Sequence, residues 1–144
     1  MLKNIPPLLG PELLATLRAM GHGDEIVIAD ANFPAEFLGP QVHRADGISA
    51  TDLLGAILTV MPLDDFVDQA AIGMAVVGDP HARQPIYDDF QQIITRHEPS
   101  MHFSTVERFA FYDRAKKAAA VVQSGETRLY GNILLKKGII RPKS

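Results

Sequence analysis

Met20-Gly-His-Gly-Asp-Glu-Ile-Val-Ile-Ala-Asp30 is the stretch on which the fold turns. Gly21-His22-Gly23-Asp24 reverses the chain, and Glu25-Ile-Val-Ile-Ala follows as an unbroken, largely β-branched run. A strand with one wet face alternates apolar and polar residues, whereas an unbroken run marks a strand covered on both faces. Asp30 closes the run, and Ala31-Asn32-Phe33-Pro34 reads as a loop. Upstream, Gly10-Pro11 opens a helix with proline at its first position and Glu12 in its first turn. Leu13, Leu14, Leu17 and Met20 make its apolar stripe, and Gly21 stops it.

The same signals recur downstream. Residues 49–60 read as a helix capped by Ser49 or Thr51, with Leu53, Leu54, Ile57 and Leu58 on its buried side. Residues 70–77 read as a second buried strand, stopped by Gly78-Asp79-Pro80, and residues 85–97 as a helix. Further strands are expected at 101–106, 118–123 and 132–136, with a helix at 109–117. Arg44-Ala-Asp46-Gly47 reads as a charged turn. Strands alternating with helices predict a single α/β domain with a largely parallel sheet and helices on both faces. In such sheets ligands bind beyond the carboxyl ends of the strands. Asp30 marks one such end, and Arg108 follows another.

Composition narrows the function classes. The chain has 144 residues, 47% hydrophobic and 22% charged, the range of a globular domain. A net charge of −3 gives no electrostatic footprint for nucleic acid. Cysteine is absent, which removes thiolate metal sites, disulfides and a cysteine nucleophile. No apolar run reaches the ~18 residues of a membrane span. The first thirty residues lack a signal-peptide core, so the expected location is the cytoplasm. The five histidines are separated by 21, 38, 16 and 5 positions, which suits no compact metal motif, and no metal or cofactor is expected. No glycine-rich phosphate loop is present.

His22 stands apart from the other histidines. It lies between two glycines, where backbone can approach a ligand closely, at the near end of the strand that finishes in Asp30. It reads either as a residue capping the helix or as a general acid/base, since imidazole titrates near neutral pH. Asp24 and Glu25 stand beside it and could orient its ring. Asp30 is either a turn residue or a carboxylate for a ligand. The aromatic-rich block from Glu107 to Tyr112 reads first as a helix start packed into the core, and Tyr130-Gly131-Asn132 as either a tight turn or backbone offered to a hydroxyl-rich ligand.

Six motifs in order carry a resemblance. Met20-Gly-His-Gly-Asp-Glu25, Asp30-Ala-Asn-Phe-Pro34, Gly39-Pro-Gln41, Arg44-Ala-Asp-Gly47, Arg108-Phe-Ala-Phe-Tyr112 and Tyr130-Gly-Asn-Ile-Leu-Leu-Lys-Lys-Gly138 together resemble the family of L-fucose mutarotases and D-ribose pyranases. The Arg-Phe-Ala-Phe-Tyr block points to its fucose branch. The resemblance implies a cofactor-free isomerase that interconverts the anomers of L-fucose. It implies His22 as the catalytic histidine, Tyr112 as a further pocket residue counted with the catalytic groups, and Asp30, Arg108, Tyr130, Gly131 and Asn132 as sugar contacts; the second proton-transfer group is Tyr112 or Tyr130. It also implies a homo-oligomer, a ring-shaped decamer, with sites at subunit contacts. Asn32 stands where histidine is expected and His43 where an aliphatic residue is expected, and residues 64–102 match poorly. The rival readings are D-ribose pyranase activity, a non-catalytic sugar-binding domain and a structural ring-forming protein.

Overall fold

Residues 1–143 are described by a computed structural model. The elements run α1 (Pro11–Ala19), β1 (Glu25–Ala29), a short 3-10 helix (Ala35–Phe37), β2 (Gln41–Ala45), α2 (Ala50–Val60), β3 (Ala71–Met74), α3 (Pro85–His97), β4 (Ser104–Val106), α4 (Arg108–Lys116), β5 (Ala120–Ser124) and β6 (Ile133–Lys136). The six strands form one sheet in the order β2-β5-β1-β6-β3-β4. β1 and β2 pair in parallel with β5, and β3 with β4. β6 runs antiparallel between β1 and β3.

The unbroken run in β1 is explained by what covers it. Ile26 and Ile28 point into a core shared with α1, α2 and α3, while Val27 and Ala29 point into a second core that holds Phe33, Phe111 and Ala115. All four side chains are fully buried, so an isoleucine truncated to alanine here costs about 2–5 kcal/mol. Helices therefore lie on both faces, as the sequence predicts.

Local signals act where expected. Pro11 sits in the first turn of α1, and the Ser49 hydroxyl accepts from the Asp52 N–H to cap α2. Glu107 caps α4, its carboxylate accepting from the Phe109 and Ala110 N–H groups at 2.9 and 3.1 Å. That cap begins the helix at Arg108, one residue earlier than expected. The strands are shorter than expected, with β3 ending at Met74 and β4 starting only at Ser104. β2 is an addition: Arg44 and Ala45 belong to a strand at the sheet edge, and only the residues after it turn. Among the described residues no helix is long and apolar enough to cross a membrane.

Candidate active site

The sheet sets apart two groups of polar residues. Asp30 ends β1, and the antiparallel entry of β6 brings Asn132 beside it. The Asp30 N–H donates to Asn132 Oδ1 at 2.7 Å, and Asn132 Nδ2 donates to Asp30 Oδ2 at 3.3 Å. The Asn32 N–H closes on Asp30 Oδ1 at 3.0 Å. Gln123 Nε2 donates to the Asp30 carbonyl at 2.5 Å, and the Ser124 hydroxyl to the Ala29 carbonyl at 2.5 Å. Asp30 is thus both a turn residue and a buried carboxylate, 6% exposed. Burial pushes its pKa up, against hydrogen bonds from the Asn32, Gly131 and Asn132 side that pull it down.

The segment before β6 is held in an unusual conformation. Tyr130 has φ of 59°, the left-handed region that costs a residue with a side chain about 1–3 kcal/mol. Its hydroxyl accepts from the Val77 N–H at 3.1 Å, tying it to the loop after β3. Next to it, a Cβ on Gly131 would stand 2.8 Å from Glu126 Cγ and 3.1 Å from the Arg128 carbonyl, so only glycine fits without displacement. Glu126 is buried and gripped by Arg128, which also reaches Asp89 of α3 at 2.6 Å. Strained backbone supported from several sides is what a binding loop shows.

Tyr112 and Arg108 come from α4. The Tyr112 ring lies 5.4 Å from Phe33, the residue that follows the Asp30 turn, and both Tyr112 and Tyr130 pack on the second core. Arg108 stacks on Phe109, 4.6 Å from guanidinium to ring centroid. Its Nε is buried without a hydrogen-bond partner, one of two such side-chain atoms among the described residues, the other being Ser104 Oγ. An unpaired buried donor costs about 1–3 kcal/mol until an acceptor arrives. The carboxyl ends of the parallel strands thus carry Asp30 after β1, Arg108 and Tyr112 after β4, and Asn132 where β6 enters.

His22 lies at the other end. Gly23 takes φ of +89°, which makes the turn, and its N–H donates to the Lys137 carbonyl at 2.8 Å, beyond the far end of β6. Some seven residues of mostly extended chain at ~3.3 Å each separate it from Asp30, so ~20 Å lies between the two groups. His22 Nε2 stands 2.9 Å from Asp64 Oδ1. The imidazole side chain is 41% exposed, the carboxylate 4%. Burial works against ionisation of Asp64, but hydrogen bonds from His22 and from the Phe66 N–H outweigh it and hold its pKa below the ordinary carboxylate range.

This corrects the expectation for the carboxylate that orients His22. Asp24 instead accepts from the Gly21 N–H at 2.8 Å, and Glu25 pairs with Arg114. Asp64 was not legible in the sequence because it is 42 residues away, in the loop after α2. Of the aromatic block, Phe111 is packed into the core as its helix-start reading expects, and Phe33 is buried beside it, whereas Phe109 is exposed. Among the described residues no group of three or more His, Asp or Glu side chains is placed to hold a metal ion. A groove of about 640 Å³ between α2 and α3 takes in none of the candidate residues.

Comparison with known proteins defines the class. The chain matches the model of the RbsD / FucU transport protein family over residues 3–140 and belongs to that family. It is 48% identical over 148 residues to a protein of Danio rerio named fucose mutarotase, covering 99% of this chain and 97% of that one. The crystal structure of FucU from Bifidobacterium longum superposes with a TM-score of 0.91 at 45% identity, covering 96% of this chain and 100% of the other. The fucose mutarotase of Streptococcus pneumoniae, solved in complex with L-fucose, superposes with a TM-score of 0.88 at 44% identity, covering 97% and 100%.

Proposed function

We propose that the protein is an isomerase that interconverts the α and β anomers of L-fucose. The observation that carries this is the hydrogen-bonded pair of His22 and Asp64, with the imidazole half open to solvent, in a chain of this family. The relatives named fucose mutarotase, at nearly full coverage, support the substrate.

The geometry supports one placement of the protons. Asp64 is held ionised and can only accept, so His22 Nε2 carries the hydrogen and donates it to Oδ1. Nδ1 is then the free base. It removes the proton of the anomeric hydroxyl as the bond from C1 to the ring oxygen breaks, and a second group donates a proton to that oxygen. The open aldehyde turns about the C1–C2 bond, and closure on its other face reverses the transfers. Asp64 stabilises the imidazolium that forms in between, the task of the carboxylate in a catalytic triad. Tyr112 is the better second group. Tyr112 stands beside the Asp30 turn through Phe33, whereas the Tyr130 hydroxyl is tied to the loop after β3 by accepting from the Val77 N–H; it keeps its own proton and is the alternative donor. Asp30, Asn132, Gly131 and Arg108 hold the sugar hydroxyls, the unpaired Arg108 Nε gaining the acceptor it lacks.

One chain cannot bring His22 and Asp30 to the same sugar across ~20 Å of sheet. We infer that the site forms between copies, His22 of one subunit meeting Asp30, Asn132 and Arg108 of its neighbour, in a closed homo-oligomer. A decamer is the form that the family resemblance supports. Saturation-transfer NMR between the anomeric proton signals of L-fucose tests the activity. Exchange far above the uncatalysed rate is expected, and binding without faster exchange would leave a sugar-binding protein instead.

A further inference from the structure

The turn that anchors Asp64 also presents a side chain that the reaction above does not use. Phe66 is 62% exposed, yet it is not free. Its ring lies 4.9 Å from the His22 imidazole, centroid to centroid, tilted by 45°. The Arg141 guanidinium stands 5.4 Å from the same ring, and Arg141 is itself held by Asp65 through bonds of 2.7 and 3.1 Å. The Phe66 N–H donates to Asp64 Oδ1 at 3.0 Å, the oxygen that also receives His22 Nε2. A single carboxylate oxygen therefore sets both the imidazole and the aromatic ring. Scattered exposed hydrophobic residues need no explanation. An exposed ring fixed against the candidate base by three neighbours does.

We propose that Phe66 is a specificity-determining residue whose ring receives the C5 methyl group of L-fucose while His22 works at the anomeric centre. This rests on the mutarotase reading above. In a pyranose the ring oxygen joins C1 to C5, so a base at the anomeric hydroxyl has the C5 substituent close by. A ring centred 4.9 Å from the imidazole occupies that neighbourhood. Its face is apolar and can be covered by a methyl group but gives nothing to a hydroxyl. Phe33 and Phe111 are buried in the core and cannot do this. A pocket that recognises one methyl group discriminates by about 10–200-fold.

D-Arabinose supplies the test, because its pyranose has the L-fucose configuration at C2, C3 and C4 and lacks only the methyl group. Anomer exchange on both sugars is measured by NMR for the wild type, Phe66→Ala and Phe66→Leu, with circular dichroism to check folding. Wild type should favour L-fucose. Phe66→Ala should lose about tenfold or more on L-fucose and no more than about threefold on D-arabinose, collapsing the ratio. Phe66→Leu, which keeps an apolar side chain, should restore part of that ratio. A ratio unchanged in both variants, or an equal fall on both sugars from a disturbed His22, overturns the proposal and leaves the mutarotase reading standing. Wild-type protein that accelerates neither sugar overturns the reading and the proposal together.

Discussion

The two ends of the central sheet are built on opposite principles. At the carboxyl end of β1, Asp30 is buried, hydrogen-bonded by Asn32 and Asn132 and backed by Gln123 and Ser124. At the other end, His22 sits on a tight turn with its imidazole exposed and a single buried carboxylate behind it. The first end is fixed and polar, suited to reading a pattern of hydroxyl groups. The second offers one group that can take up and release a proton. The proposed mechanism places binding and proton transfer at different edges of one domain. Substitutions at the two ends should fail in different ways.

The largest effect is expected from His22→Ala. Exchange should fall by ~10²–10⁴-fold while circular dichroism and sugar affinity are retained. Asp64→Asn should come next. The bond from imidazole to a charged acceptor is worth about 1.5–3 kcal/mol, so exchange should drop by roughly 10- to 150-fold. Tyr112→Phe should cost more exchange than Tyr130→Phe, and equal losses would return the choice of second proton donor to the two tyrosines together.

Asp30→Asn breaks the comparison at its other side. It should weaken sugar binding, seen as a raised KM or a lost titration shift, in a chain that still folds, as circular dichroism checks. Its raised pKa means that Asp30 favours the folded state only below the unfolded value near 3.8 and opposes it as pH rises. The asparagine variant cannot ionise and should lose this pH dependence, although its amide group replaces one of the oxygens that accept from Asn32 and Asn132.

The smallest effect concerns His43, which lies away from both groups. It is buried on β2 with its Nε2 2.7 Å from the Thr16 hydroxyl of α1. Burial lowers its pKa, partly offset by Glu12. A depressed folded pKa contributes stability that is present above the unfolded value of 6.5 and is lost as pH falls below it. Urea titrations at pH 7.5 and 5.5 should show this loss in the wild type and a smaller one in a His43→Leu variant.

Much of the fold can be read along the chain because local signals and burial agree there. The β1 run and the Pro11 and Ser49 helix starts are each set by neighbouring residues. β2 escapes such reading because it is an edge strand that carries His43 and Arg44, and its strand character comes from pairing with β5 rather than from its own pattern. The antiparallel course of β6 is also set by its neighbours alone. Within the candidate site, Asp30 and His22 stand out by their positions at the ends of one strand. Asp64 and Phe66 do not, because their partner His22 is 42 and 44 residues away in the sequence and no spacing rule links them. The separation of His22 from Asp30 follows from strand length and was legible from the start. What a second copy does with that separation lies in surfaces that no local pattern encodes.

Subunit complementation tests the central claim most directly. His22→Ala and Asp30→Asn chains, each impaired alone when exchange is read at L-fucose well below the KM of the Asp30→Asn variant, are unfolded, mixed in equal amounts and refolded together. If the site takes His22 from one copy and Asp30 from another, random assembly rebuilds about a quarter of the sites with both groups intact, and exchange should return to about that fraction of wild type. Mixtures no more active than the average of the separate variants, in an oligomer shown by light scattering to contain both chains, would contradict the shared site.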